Sequence, residues 1–146
     1  MIGSVQPDTA YQGVYRRDQK NDLKSQQVIQ QLRMIEQKVK AHEMAHKAAG
    51  GELAGPIHYK YKKGPDGKLY IVGGEVPIKI KEGKTPEETI EIAQKIKRAA
   101  LAPADPSPQD RAVAARASIL EMKARVELLK QQTEGKQTGQ NINLHV

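Results

Sequence analysis

Apolar positions along the chain fall into three stretches of helical spacing and one short region of alternation. From about Asp22 to Ala49, Val28, Leu32, Ile35 and Val39 recur at intervals of four, three and four. That is the stripe of an amphipathic helix. Gly50-Gly51 then supplies a left-handed stop. The stripe continues past Val39 into His42 and His46, so both imidazoles are expected to face the way the buried side chains face. Residues 1–21 mix Gly, Pro, Asp, Gln and Arg without periodicity and read as a flexible tail carrying Tyr11 and Tyr15.

After the Gly pair the period changes to two. Ile57-His58-Tyr59-Lys60-Tyr61-Lys62 and Lys68-Leu69-Tyr70-Ile71-Val72 are strand-like and flank Gly64-Pro65-Asp66-Gly67, which predicts a β-hairpin. Gly73-Gly74 is read as an interruption. Glu75-Val76-Pro77-Ile78-Lys79-Ile80 is read as a third strand, placed at an edge by its proline. Thr85-Pro86-Glu87-Glu88 is a capping box with Pro at the first helical position, opening a second helix with Ile92, Ala93, Ile96 and Ala100 on its apolar face. Ser107-Pro108-Gln109-Asp110 repeats that logic for a third helix, with Val113, Ala117, Leu120, Ala124 and Leu128 as the stripe. Beyond Gln131 the chain turns polar and is read as frayed. The prediction is an α+β fold: a long helix, a small antiparallel sheet of a hairpin plus an edge strand, and two further helices. One domain is expected over 22–131, between flexible tails at 1–21 and 132–146.

Composition narrows the chemistry. The chain has 146 residues, 38% of them hydrophobic, with no Phe and no Trp. Its core must therefore be built from Ala, Leu, Ile, Val and Met. The absence of cysteine removes disulfides, thiolate zinc sites and thiol nucleophiles together. Any metal must be held by His, Asp or Glu. The net charge of +7 raises nucleic acid as a partner, but the basic residues are spread evenly and no aromatic platform accompanies them, so nucleic acid is disfavoured. No signal peptide or membrane-spanning run is visible, and a cytoplasmic location with no membrane partner is expected.

The chemistry-bearing pattern is His42-Glu43-Met44-Ala45-His46. Two histidines four apart lie one turn apart on one helix face, where both can reach a single Zn2+. Glu43 is rotated toward the position of an attacking water and suits a general base. A third ligand must come from elsewhere, and His58, Glu52, Asp110 and Glu75 are the candidates. Glu52 sits too close to the helix end. His58 suits an exposed strand position. Asp110 already has a task in the capping box with Ser107. Glu75 follows two glycines that permit close backbone approach and has no capping role, so it is the choice for third ligand. Tyr70, nearest to Glu75 among the tyrosines, is the candidate donor to the oxyanion of a tetrahedral intermediate. Tyr59 and Tyr61 are expected to cover the sheet, and His145 to play no part.

Several blocks occur in an order that resembles the SprA-related family. They are Val39-Lys40-Ala41-His42-Glu43-Met44-Ala45-His46, the hairpin with Tyr59-Lys60-Tyr61 and Gly64-Pro65-Asp66-Gly67, and Gly73-Gly74-Glu75-Val76. Ala99-Ala100-Leu101-Ala102-Pro103 and Pro106-Ser107-Pro108-Gln109-Asp110 follow. The resemblance spans roughly Leu32 to Arg125. It implies a zincin-like site in a proposed metalloprotease catalytic domain, with His42 and His46 as zinc ligands and Glu43 as base. The Gly-Gly-Glu-Val block favours Glu75, while the Pro-Ser-x-Gln-Asp block keeps Asp110 open as a ligand or as a partner holding a histidine ring. The expected function is zinc-dependent hydrolysis of a peptide or protein substrate laid extended near the sheet edge. The rival readings are a non-catalytic, protease-like interaction module and a basic nucleic-acid-binding protein. The N-terminal tail is a candidate cover for the cleft.

Overall fold

The computed structural model describes the backbone of residues 3 and 9–143 and the side chains of residues 16–135. The side chains of Tyr11 and Tyr15, the proposed cover over the cleft, and His145 lie outside the described residues. In order, the elements are α1 (Thr9–Gly50), a 3-10 turn (Gly51–Leu53), β1 (His58–Lys63), β2 (Leu69–Glu75), α2 (Pro86–Ala100) and α3 (Pro108–Asn143). The fold is α+β, with three helices and one two-stranded antiparallel sheet of order β1-β2. No described helix is long and apolar enough to cross a membrane. The chain divides into two compact units, Met1–Val39 with Tyr59–Gly73 and Lys40–His58 with Gly74–Val146.

The two long helices outrun their apolar stripes. α1 begins at Thr9, where the pattern placed a tail, and α3 runs to Asn143, where it predicted fraying. Residues 16–24 of α1 are exposed. A helix turn that buries nothing leaves no hydrophobic period for a sequence reading to detect.

In the first unit the buried line of α1 is also not the predicted one. Val28 and Ile35 are each 41% exposed, whereas Leu32 is buried and Ile29, Glu36 and Val39 are half-buried. The displacement has a polar cause. The Ile71 N–H donates to Glu36 Oε2 at 2.8 Å, so a carboxylate occupies a place that the pattern gave to an apolar residue. Leu32, Tyr70 and Ile71 are the buried apolar side chains of this unit among the described residues. The hairpin closes as predicted. Gly64 N–H donates to the Lys68 carbonyl at 2.8 Å, and Gly67 takes the positive φ of 78° that the turn requires. Gly73-Gly74 does not interrupt β2, which continues to Glu75.

The predicted third strand is corrected in the second unit. It is reduced to one antiparallel bridge, Ala54 with Ile78, flanked by Gly55 N–H to the Pro77 carbonyl and Lys79 N–H to the Leu53 carbonyl, both 2.8 Å. Pro77 has no N–H to extend a ladder. The core of this unit is Leu53, Ile96 and Ala117, with Ile78, Ile92, Val113 and Leu120 packed against it. The stripes of α2 and α3 supply it as their spacing predicted.

The helix starts follow their capping residues. At α2, Glu88 N–H donates to Thr85 Oγ1 at 3.2 Å, and Lys84 N–H donates to Glu88 Oε2 at 3.0 Å. The stop of α1 divides between its two glycines. Gly51 carries the left-handed φ of 54°, while Gly50 remains right-handed with φ −78°. A Cβ on Gly50 would come within 2.8 Å of the Ala54 Cβ, so its role is close packing against the 3-10 turn.

Candidate metal centre

The last turns of α1 carry the motif into the second unit. His46 is 2% and Glu43 is 4% exposed, while His42 keeps a quarter of its side-chain surface open. Glu43 and His46 therefore hold the buried face, and His42 sits at its border. The sequence pattern placed both imidazoles on that face and set Glu43 to one side.

The turn after α1 and the short side chain of Ala99 at the end of α2 bring the α2 backbone up to His46. His46 Nδ1 lies 2.8 Å from the Ala99 carbonyl oxygen. A carbonyl only accepts, so Nδ1 carries the proton, and in the neutral ring Nε2 is left with its lone pair directed into the site. The other wall is the start of α3. Ser107 and Asp110 cap each other, with Asp110 N–H donating to Ser107 Oγ at 3.1 Å and Ser107 N–H to Asp110 Oδ2 at 2.8 Å. This capping box fixes the carboxylate that the site uses.

Three atoms then converge. Asp110 Oδ2 lies 3.1 Å from His42 Nε2 and 3.2 Å from His46 Nε2, and the two Nε2 atoms are 3.2 Å apart. With His46 protonated at Nδ1, its Nε2 and the carboxylate oxygen are both acceptors facing each other. A single proton on His42 Nε2 meets only one of them. A cation at the centre meets all three lone pairs. A tetrahedral zinc ion with ligands about 2.0–2.2 Å away separates neighbouring ligand atoms by about 3.3–3.6 Å. The observed triangle is within a few tenths of an ångström of that face, so these residues fit the ion. His42, His46 and Asp110 are the one cluster of metal-ligating side chains among the described residues.

The triangle opens on a cleft of about 570 Å3, which Glu43, Glu75, Ile78 and Arg116 also line. Glu43 Oε2 is buried without a hydrogen-bond partner among the described residues. Burial pushes the Glu43 carboxyl above the usual carboxylate range; the imidazoles of His42 and His46 pull it back, and the charges of Asp110 and Glu75 push it up again. Burial also acts upward on Asp110, but the hydrogen bonds from Ser107 and the two imidazoles outweigh it and hold that carboxyl below its ordinary value.

The other candidates fall as follows. Glu75 lines the same cleft from an exposed position, and its carboxylate is not within the ligand cluster. Whereas the sequence pattern chose Glu75, the third side chain beside His42 and His46 is that of Asp110. Its capping role had counted against it, yet the same oxygen serves the cap and the cluster. Tyr70 belongs to the first unit, where its hydroxyl donates to Asp66 Oδ2 at 2.6 Å beside the hairpin turn. That bond raises the Tyr70 hydroxyl pKa and lowers that of Asp66. Glu52 and His58 are exposed. The pattern passed over Arg116; the signal available was two successive steps of three residues along α3, from Asp110 through Val113 to Arg116.

A family model described as the SprA-related family matches residues 5–144. Comparison with curated proteins and with solved structures finds no match in either.

Proposed function

The chain belongs to the SprA-related family, and we propose that it is a zinc-dependent metallopeptidase whose ligands are His42, His46 and Asp110 and whose general base is Glu43. The observation that carries the reading is the triangle of Nε2, Nε2 and Oδ2 atoms, 3.1–3.2 Å on each side, beside a buried carboxylate with an unpartnered oxygen. Zinc held there acidifies a water and polarises a peptide carbonyl.

The protein's own groups do the rest. Glu43 accepts a proton from the attacking water as its oxygen adds to the carbonyl carbon. It delivers that proton to the amide nitrogen as the C–N bond breaks, releasing an amine and a carboxylic acid. Burial suits Glu43 to take the proton, because a carboxylate with a raised pKa is a stronger base than an exposed one. Ala99 holds the His46 ring in the required tautomer, and Ser107 holds Asp110 in place. Glu75 adds negative charge at the cleft that favours the protonated form of Glu43. Tyr70 has no part in the reading, since its hydroxyl is engaged by Asp66.

The test is metal content together with hydrolysis. The purified chain is expected to hold about one zinc ion, and Glu43→Gln to retain the metal while losing at least about a hundredfold in peptide hydrolysis. A protein that binds no added zinc, or a Glu43→Gln variant as active as the parent, would sink the proposal.

A further inference from the structure

Arg116 is the one lysine or arginine among the residues lining the cleft, which include the carboxylates Glu43, Glu75 and Asp110. It pairs with none of them. Arg116 is exposed and has no ion pair or hydrogen bond with any described residue. The contrast lies on the same helix, where Glu121 draws in both Lys97 at 3.3 Å and Arg125 at 2.8 Å. An arginine beside three acids but bound to none is a guanidinium whose donors remain available to a ligand.

Its position is set by the helix. Asp110, Val113 and Arg116 follow one another at intervals of three along α3, and all line the cleft. Six residues of helix advance about 9 Å. An extended peptide advances about 3.3–3.6 Å per residue. A peptide whose carbonyl lies at the Asp110 end thus brings a group two or three residues away to the level of Arg116. The planar guanidinium matches a carboxylate with two parallel hydrogen bonds.

Resting on the peptidase reading, we infer that Arg116 is a specificity-determining residue that binds a carboxylate of the substrate two or three residues from the scissile bond. The carboxylate belongs either to an Asp or Glu side chain or to the chain terminus. Arg116 is also the one lysine or arginine on a cleft wall that carries the carboxylates of Glu43, Glu75 and Asp110. Val113 and Ile78 supply apolar wall between the two ends.

The experiment uses the full zinc-loaded chain and a library of octapeptides in four forms: neutral with an amidated end, the same with one Gln replaced by Glu, the same with that Gln replaced by Lys, and neutral with a free terminal carboxylate. A charge-assisted hydrogen bond corresponds to about ten- to a hundredfold in kcat/KM. The parent is expected to prefer one carboxylate-bearing form by at least about tenfold, and which form it prefers identifies the source. Arg116→Gln is expected to abolish that preference, and Arg116→Glu to transfer it to peptides carrying Lys at the same position. Thermal melting confirms that each variant folds. An equal preference in the parent and Arg116→Glu, or none in the parent, overturns the inference. If no peptide is cleaved, the peptidase reading fails separately, and calorimetric titration of the same peptides onto zinc-loaded Glu43→Gln decides this one. A carboxylate preference in binding that Arg116→Gln removes supports it, and indifference to the carboxylate overturns it.

Discussion

Ser107 and Asp110 cap each other at the start of α3, and the Asp110 oxygen that accepts from Ser107 N–H at 2.8 Å is the same oxygen that faces His42 and His46. Helix capping and the placement of the proposed third ligand are therefore one arrangement. The backbone bond holds the carboxylate in place without a cation, which would lower the ordering cost of binding one.

The proposed ligand set makes Asp110 and Glu75 separable by experiment. Asp110→Asn is expected to weaken zinc binding by at least about a hundredfold, more than the loss caused by removing a partner that only orients a ligand. Glu75→Gln is expected to leave zinc affinity within about threefold of the parent, since its carboxylate lies outside the cluster. Competition titration with a chromophoric chelator measures both. The reverse order of effects would return the third position to Glu75.

Ser107→Ala removes the hydroxyl that accepts from Asp110 N–H at 3.1 Å. It is expected to lower stability by about 1 kcal/mol, read by urea denaturation. Zinc affinity is expected to fall about tenfold through the loosened Asp110. A variant that loses stability but keeps its zinc affinity would show that the cap and the ligand are independent.

The two glycines that end α1 are expected to respond differently. Gly51→Ala places a side chain at a φ of 54° and is expected to cost about 1–2 kcal/mol. Gly50→Ala has an ordinary φ, but its Cβ would meet that of Ala54 at 2.8 Å and that of Ala99 at 3.5 Å. It is expected to cost about 1–3 kcal/mol and to displace the Ala99 carbonyl from His46. The second effect is visible as a change in the His46 imidazole proton resonance, which Gly51→Ala is expected to leave in place.

Glu121 links α3 to α2 through Gln94 and Lys97 and also binds Arg125 one turn along α3. The hydrogen bonds from Arg125, then from Gln94 and Lys97, pull its pKa down to about 2 from an ordinary 4.5. The folded state therefore holds the carboxylate more firmly than the unfolded chain does. Its contribution is fully present above about pH 4.5 and is lost as pH falls toward 2. Glu121→Gln is expected to lower the melting temperature at neutral pH and to flatten the fall of stability between pH 4.5 and 2. Parallel curves for parent and variant over that range would contradict this account.

The sequence by itself determined the elements whose evidence is local. The capping boxes at Thr85 and Ser107 placed the starts of α2 and α3, because a cap and its partner lie within four residues. Gly64-Pro65-Asp66-Gly67 determined the hairpin for the same reason. The stripes of α2 and α3 included the buried Ala93, Ile96, Ala100, Ala117 and Ala124, though not Thr89, Ala99 or Ala114, and the spacing of His42 and His46 put two potential ligands one helical turn apart.

What joins residues distant in sequence was decided only by the tertiary structure. Glu36 binds the backbone of Ile71, which turned the face of α1 away from Val28 and Ile35. Pro77 leaves one bridge where alternation suggested a strand. The Ala99 carbonyl, an atom that no residue type advertises, sets the His46 tautomer. Asp110 stood behind Glu75 because its cap already gave it a role, whereas only the fold shows that the oxygen in the cap also faces both imidazoles, with lone pairs enough for more than one partner.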